Sequence, residues 1–288
     1  MKMDYVLVII ATVLLAFDFA LQKKYQAGEG VDISAGLKFN ALNGLFTALI
    51  FFALSGFKAE FSLFSVILAF LMSLFGMLYI ILGFKILKGN GMAVYSLFLM
   101  SGGMLLPYLF GVLFLNEPLT ALRIIGVLII LLAVILSNKT KFKLKVSFFL
   151  LCLSVFILNG FVSIISKCHQ INTTFNPVSS TAFVMYSGVG KFIFSSVALL
   201  LYKSKGKLSF SSKNTVFIVV GSALIGGVSY TLQLFGAKEL PATVLYPIVT
   251  GGSIVFSVLS GKVFFKEKLS SYQLISIALC FVGTLLFL

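Results

Sequence analysis

The sequence predicts an all-α membrane protein whose ten transmembrane helices form two inverted five-helix repeats. Three observations lead there. The 288 residues are 60% hydrophobic and only 10% charged, against about half apolar and a quarter charged in a typical soluble domain. Mean hydropathy is +1.13. The polar residues cluster in short gaps between long apolar runs, and the second half of the chain echoes the first.

A helix needs about 20 apolar residues to cross the hydrocarbon layer. Ten runs qualify or come close: 5–22, 35–55, 61–83, 92–115, 120–137, 146–166, 178–202, 215–235, 242–263 and 271–288. They lack the strict alternation of barrel strands. Helices satisfy their own backbone in lipid, whereas an open sheet edge does not. The first run has no A-x-A-like cleavage site after it and many apolar runs follow, so it reads as a retained span and not a removed signal. The longest gaps, 23–34, 167–177 and 203–214, are too short for a soluble domain. Function is therefore expected inside the membrane.

The echo has an offset of 150 residues, at which Lys88 meets Lys238, Gly102 meets Gly252, Gly111 meets Gly261, Phe114 meets Phe264, Glu117 meets Glu267 and Leu119 meets Leu269. No gap is needed from Gly83 onward. This divides the chain into 1–138 and 139–288, with five spans each. An odd number of spans per repeat inverts the second against the first, an arrangement associated with alternating-access carriers.

The formal charge is +14. No basic helix or nucleic-acid motif accompanies it, so the lysines read as loop anchors at an anionic membrane surface. Fifteen basic residues fall in odd-numbered gaps, including Lys139, Lys141, Lys143 and Lys145, and five in even gaps and termini: Lys2, Lys58, Arg123, Lys167 and Lys238. The positive-inside rule then places both termini outside.

The segments "FLNEPLTALRIIGVLIILLAVIL" from Phe114 and "FFKEKLSSYQLISIALCFVGTLLFL" from Phe264 resemble the end of the EamA repeat of the drug/metabolite transporter superfamily. The shared pattern is a glutamate, a leucine, a Ser or Thr, and a final helix with two glycines. The first copy keeps Gly126 and has Ala133 at the second glycine position; the second has Ser276 first and keeps Gly283. The resemblance covers essentially the whole chain as two repeats. It implies a ten-span secondary carrier of small metabolites or drugs, an amino acid or related compound among the candidates. It also implies cytoplasmic termini, against the charge count. The motif says nothing about substrate.

Local physics assigns the same residues capping roles. Thr120 can cap the fifth helix, and Ser270 with Gln273 fits a capping box on the tenth. Glu117 and Glu267 then lie just outside helix starts, where the dipole favours negative charge.

Candidate functional residues are those that interrupt apolar runs. Asp18, Asn159 and Lys191 lie within the first, sixth and seventh runs. A charge at the bilayer centre costs roughly 2.5–3.5 kcal/mol, so each calls for a partner or a polar interior. Asp18 and Lys191 are expected either to pair or to contact a charged substrate. Tyr79, Tyr95, Tyr230, Gln233 and Tyr246 add polar tips that seek partners, on substrate or on neighbouring helices. Lys38 reads as interfacial. Gly103, Pro107 and Gly111, matched at the 150 offset by Ser253, Ser257 and Gly261, place small or kinking residues every four positions for close packing or hinging. Pro107 and Pro247 each remove a helix hydrogen bond.

The same reading excludes other classes. "SGVGK" is not a Walker A loop, because Met185 occupies the first glycine position and Phe192 follows the lysine. No ATPase subunit is implied. Cys152, Cys168 and Cys280 match no disulfide or zinc spacing, and His169, placed in a loop, has no companion ligand; neither metal nor cofactor is expected. Enzyme chemistry would need clustered His, Asp or Ser–Lys groups; the acids here are scattered, and only a Ser–Lys pair at Lys191 stays open. The expectation is a secondary transporter working by alternating access in the cell membrane, functional as a monomer. The alternatives are a flippase for a lipid-linked substrate, needing a groove open to lipid, and a non-transporting intramembrane protein.

Overall fold

A computed structural model describes residues 3–87, 92–137, 146–202, 213–266 and 271–287. Those residues form ten α-helices: α1 (Met3–Glu29), α2 (Ile33–Leu54), α3 (Leu63–Leu87), α4 (Met92–Phe114), α5 (Ala121–Ser137), α6 (Val146–Ile171), α7 (Ser180–Leu201), α8 (Lys213–Glu239), α9 (Ala242–Phe265) and α10 (Ser271–Leu285). Eight of them are long and apolar enough to cross a membrane; α5 and α10 are apolar but shorter. The protein is thus a multi-pass helical membrane protein, with eight such helices where the sequence suggested ten. The 138/139 boundary, Lys88, Glu267, Leu269, Ser270 and the lysines at 139, 141, 143, 145, 203, 205, 207 and 268 lie outside the described residues.

Several helices outrun the apolar stretches that announced them. The stretch 23–34, read as a gap, is mostly helix: α1 runs on to Glu29, and only 30–32 separate it from α2. Lys23, Lys24, Gln26 and Ala27 are good helix formers. Hydropathy marks where lipid ends, not where hydrogen bonding does. Likewise α6 continues to Ile171, so Lys167, Cys168 and His169 are helical and not loop residues. Arg123 and Lys238 also lie inside helices, α5 and α8. Pro107 and Pro247 sit within continuous helices.

Side-chain caps start several helices. Asp32 accepts from the Ala35 amide at 3.1 Å, Ser179 from the Ala182 amide at 3.3 Å, and Thr120 from the Arg123 amide at 3.3 Å.

The bundle is stitched across the chain's midpoint. α2 packs along α7, α1 along α8, α4 along α6 and α9, α3 along α6 and α7, and α5 along α10. Small residues set the closest approaches. At the α2–α7 crossing a Cβ on Gly44 would lie 2.7 Å from the Gly188 carbonyl oxygen and 2.7 Å from the Phe192 amide nitrogen. At the α5–α10 crossing, Gly126 meets the Gly283 carbonyl and the Phe287 ring. Outward faces carry exposed Leu, Ile and Phe, such as Leu128, Leu132, Phe217 and Phe281, as a lipid-bathed surface requires. The thiols of Cys152 and Cys280 are fully buried, while Cys168 is half-buried.

Candidate functional site

Polar side chains gather where the bundle should be driest. Asp18 shares a face of α1 with the buried residues Ala11 and Tyr25 and is itself only 8% exposed. Both its oxygens accept hydrogen bonds: Oδ1 from Ser222 on α8, and Oδ2 from Gln22 Nε2, one turn along α1, at 2.8 Å. Asn43 on α2 donates to Ser222 Oγ at 3.2 Å, so three helices converge on one carboxylate. Gly226 leaves the space it occupies: a Cβ there would stand 2.9 Å from Oδ2.

Lys191 lies on the face of α7 shared by Val184, Ser187, Gly188 and Ser195, all buried, and away from the exposed Ile193 and Val197. Its stem passes Gly44 at the α2–α7 crossing. Its charge acts on Asp18. Among the described residues, however, no ion pair within 4.0 Å joins the two, and the Lys191 ammonium has no hydrogen-bond partner. One turn along, Asn40 donates to Ser195 Oγ at 2.8 Å and ties α2 to α7.

A second polar group lies among α3, α4, α6, α8 and α9. Tyr230 Oη shares a hydrogen bond with Ser166 Oγ at 2.6 Å and lies 2.9 Å from Met72 Sδ. The Tyr246 hydroxyl donates to the Ser163 carbonyl. Asn159 Nδ2 donates to the Leu99 carbonyl at 2.8 Å, joining α6 to α4. Gln233 donates within α8, to Ser229 Oγ at 3.2 Å. Among the described residues the hydroxyls of Tyr79 and Tyr95 bond to no neighbour. Neighbouring helices thus serve Asn159, Tyr230 and Tyr246, while Lys191, Tyr79 and Tyr95 keep uncommitted polar tips.

The small-residue rows make room for these groups. A Cβ on Gly103 would stand 2.6 Å from Asn159 Nδ2, and one on Gly111 would stand 2.6 Å from a Glu117 carboxylate oxygen. Ser253 bonds back to the Thr250 carbonyl at 2.9 Å, Ser257 keeps a buried hydroxyl without a partner among the described residues, and Gly261 is buried.

One end of the bundle is closed by a polar lattice. Glu60 accepts from the Ser179 amide at 2.6 Å, and Tyr186 Oη donates to the Glu60 carbonyl at 2.7 Å. The junction of α8 and α9 turns at Pro241, which supplies no side-chain cap to α9. Glu117 takes that role from the α4–α5 connection, accepting from the Ala242 amide at 2.7 Å and the Thr243 amide at 2.8 Å. Free amides at a helix start favour a carboxylate. Lys167 serves the other side of the junction, donating to the Ala237 and Leu240 carbonyls, each at 2.7 Å. It is 4% exposed, which replaces the loop-anchor role read from sequence. Arg123 Nη1 reaches the Pro118 carbonyl at 2.9 Å and Thr243 Oγ1 at 3.2 Å. His169 is fully buried and stacked on Phe183 at 3.9 Å. Its Nε2 lies 2.9 Å from Ser65 Oγ and its Nδ1 3.0 Å from Gln170 Nε2. At the opposite end Lys38 pairs with Glu29 at 3.5 Å.

Sequence reasoning did not single out Gln22, Asn40, Asn43, Ser195 or Ser222. A signal existed for two of them: Asn40, Asn43, Gly44 and Thr47 recur at helical spacing on one face of α2. Among the described residues no group of three or more His, Cys, Asp or Glu could hold a metal ion.

A family model described as the EamA-like transporter family matches residues 146–288. Among solved structures, one titled "Crystal structure of protein" covers 98% of this chain and 95% of its own, with a TM-score of 0.77 and 17% identity. At that identity the likeness concerns the fold. No curated protein matches the chain.

Proposed function

Residues 146–288 belong to the EamA-like transporter family within a multi-pass helical membrane protein, and from that premise we propose that the chain is a secondary carrier of a small metabolite or drug. One observation carries the reading: Asp18 and Lys191, opposite in charge and on helices from different halves, face the bundle interior without neutralising each other directly. Charged groups placed in lipid at a cost of roughly 2.5–3.5 kcal/mol each are characteristic of substrate and ion pathways. In this reading Asp18, Lys191, Asn159, Tyr79, Tyr95 and Tyr230 border the passage, with Gln233 and Tyr246 beside it.

Alternating access in ten spans, with 1–138 and 139–288 as inverted repeats, belongs to the same proposal. Helix pairing supports it. If α1–α5 correspond to α6–α10, then α2–α7, α4–α9 and α5–α10 are self-paired. Likewise α1–α8 answers α3–α6, α4–α6 answers α1–α9, and α2–α8 answers α3–α7. A two-fold axis within the membrane plane generates that pattern. The Glu60–Ser179 and Glu117–α9 contacts then close one face and must loosen when the passage opens there, with Pro107 and Pro247 as sites of bending. We assign the carrier to the cell membrane and to a monomer, since both halves of the passage come from one chain.

The test is reconstitution into liposomes with a panel of labelled amino acids, organic acids and organic cations, comparing wild type with Asp18→Asn and Lys191→Met. Accumulation or exchange lost in both monodisperse variants supports the reading; full transport in both removes these two residues from it.

A second reading, translocation of a lipid-linked substrate, draws on an apolar cleft of about 500 Å³ between α3 and α6, lined by Leu78, Ile81, Leu82, Ser154, Ile157 and Leu158. Movement of labelled headgroups between leaflets of the same liposomes, without uptake of soluble solutes, would select it.

A further inference from the structure

The two charged groups at the centre are unequally served. Asp18 spends both oxygens on neutral donors, Ser222 and Gln22, and Asn43 orients Ser222 from behind. Lys191 offers three N–H donors, and among the described residues none is taken. The unfilled valence at this point is therefore cationic. Lys191 is half-buried and not sealed in the core, and the strongest partner for an ammonium is an anionic oxygen.

Charge accounting narrows the class. Asp18 and Lys191 together sum to zero. A ligand with one carboxylate changes that sum by one negative charge, or by none if it carries its own cation, whereas a phosphate monoester adds close to two. Each uncompensated charge is expensive at this depth.

We propose that the transported molecule carries a single carboxylate and that this group docks on Lys191 Nζ, with Asp18 held away as a fixed, hydrogen-bonded counter-charge. The inference rests on the carrier reading for its role in transport and on the geometry alone for the docking site.

The experiment uses the full chain in detergent, with phenylacetate, butyrate and phenylalanine as probes, their amides as partners that lack the carboxylate (uncharged for the first two), and phenyl phosphate as the dianion. Binding is read by calorimetry and by thermal stabilisation. At least one carboxylate is expected to bind about tenfold or more tightly than its amide and more tightly than phenyl phosphate. Lys191→Gln should bring that carboxylate and its amide to within about twofold, and monodispersity on gel filtration shows that the variant is folded. Equal binding of acid and amide by wild type, preference for the phosphate, or binding of no carboxylate overturns the proposal, and none of these depends on a variant. Uptake into liposomes separates the two claims. Carboxylate-selective binding without uptake leaves the docking site standing and removes the carrier. Uptake indifferent to the carboxylate leaves the carrier and removes the docking site.

Discussion

Glu117 and Lys167 hold opposite sides of one chain junction: the carboxylate fills the amide end of α9, and the ammonium fills the carbonyl end of α8. Pro241 between them offers α9 no side-chain cap. Removing Glu117 strands two amides, and removing Lys167 strands two carbonyls. Glu117→Ala should cost about 1–2 kcal/mol and Lys167→Met about 1–3 kcal/mol. Glu117→Gln should cost less than Glu117→Ala, because one acceptor oxygen remains. Melting temperatures in detergent rank the three; an unchanged value for Lys167→Met contradicts the double-capped junction.

The α2–α7 crossing makes a sharper steric claim. A methyl group at position 44 would press on the Gly188 carbonyl, the Lys191 stem and the Phe192 amide, two of them backbone. Gly44→Ala should therefore lose about 1–3 kcal/mol. The control is Gly28, where an added Cβ meets nothing within 4 Å. Gly28→Ala should be neutral or gain up to about 1 kcal/mol, since it removes a glycine from a helix. Melted side by side, Gly44→Ala should fall while Gly28→Ala stays level or rises.

Asn159 gives a milder test of interhelical hydrogen bonding. Its bond to the Leu99 carbonyl should be worth about 0.6 kcal/mol, the average for such bonds in lipid. Asn159→Leu should thus shift melting by only a degree or two. If transport falls much further than stability does, Asn159 touches the passage as well as α4; if the two fall together, its role is packing alone.

The cysteines supply a built-in unfolding reporter. A maleimide dye should label Cys168 in the folded protein well before Cys152 and Cys280, both fully buried. The other two thiols should react only as the bundle opens on heating. Peptide mapping of labelled protein below the melting temperature checks the order, and early labelling of Cys280 would contradict the α5–α10 packing around it.

Much of the fold was legible because lipid imposes a simple code. Apolar runs long enough to span must be helices, and each of the ten runs coincides with one helix in the described residues. Helix ends were less legible. Once a helix leaves the hydrocarbon, hydropathy falls while helix propensity does not, so α1 and α6 run on through residues read as loops. Asp18, Lys191 and Asn159 stood out as polar interruptions of apolar sequence. Their partners did not: Ser222 and Gln22 are ordinary near a helix end or among small residues, and only the fold brings them to the carboxylate. Lys167 looked like a loop anchor because its use depends on α8 ending just above it, 70 residues later in the chain.

The α8–α9 junction also bears on how the protein is made. Glu117 leaves the ribosome 125 residues before the first amide it will cap, and Lys167 precedes both of its carbonyls. Until α8 and α9 are inserted, both charges must be hosted by water or lipid headgroups at the same membrane surface. When α8 and α9 arrive they therefore find their anchor points already in place, and a chain truncated before 242 would leave Glu117 without the two amides it caps.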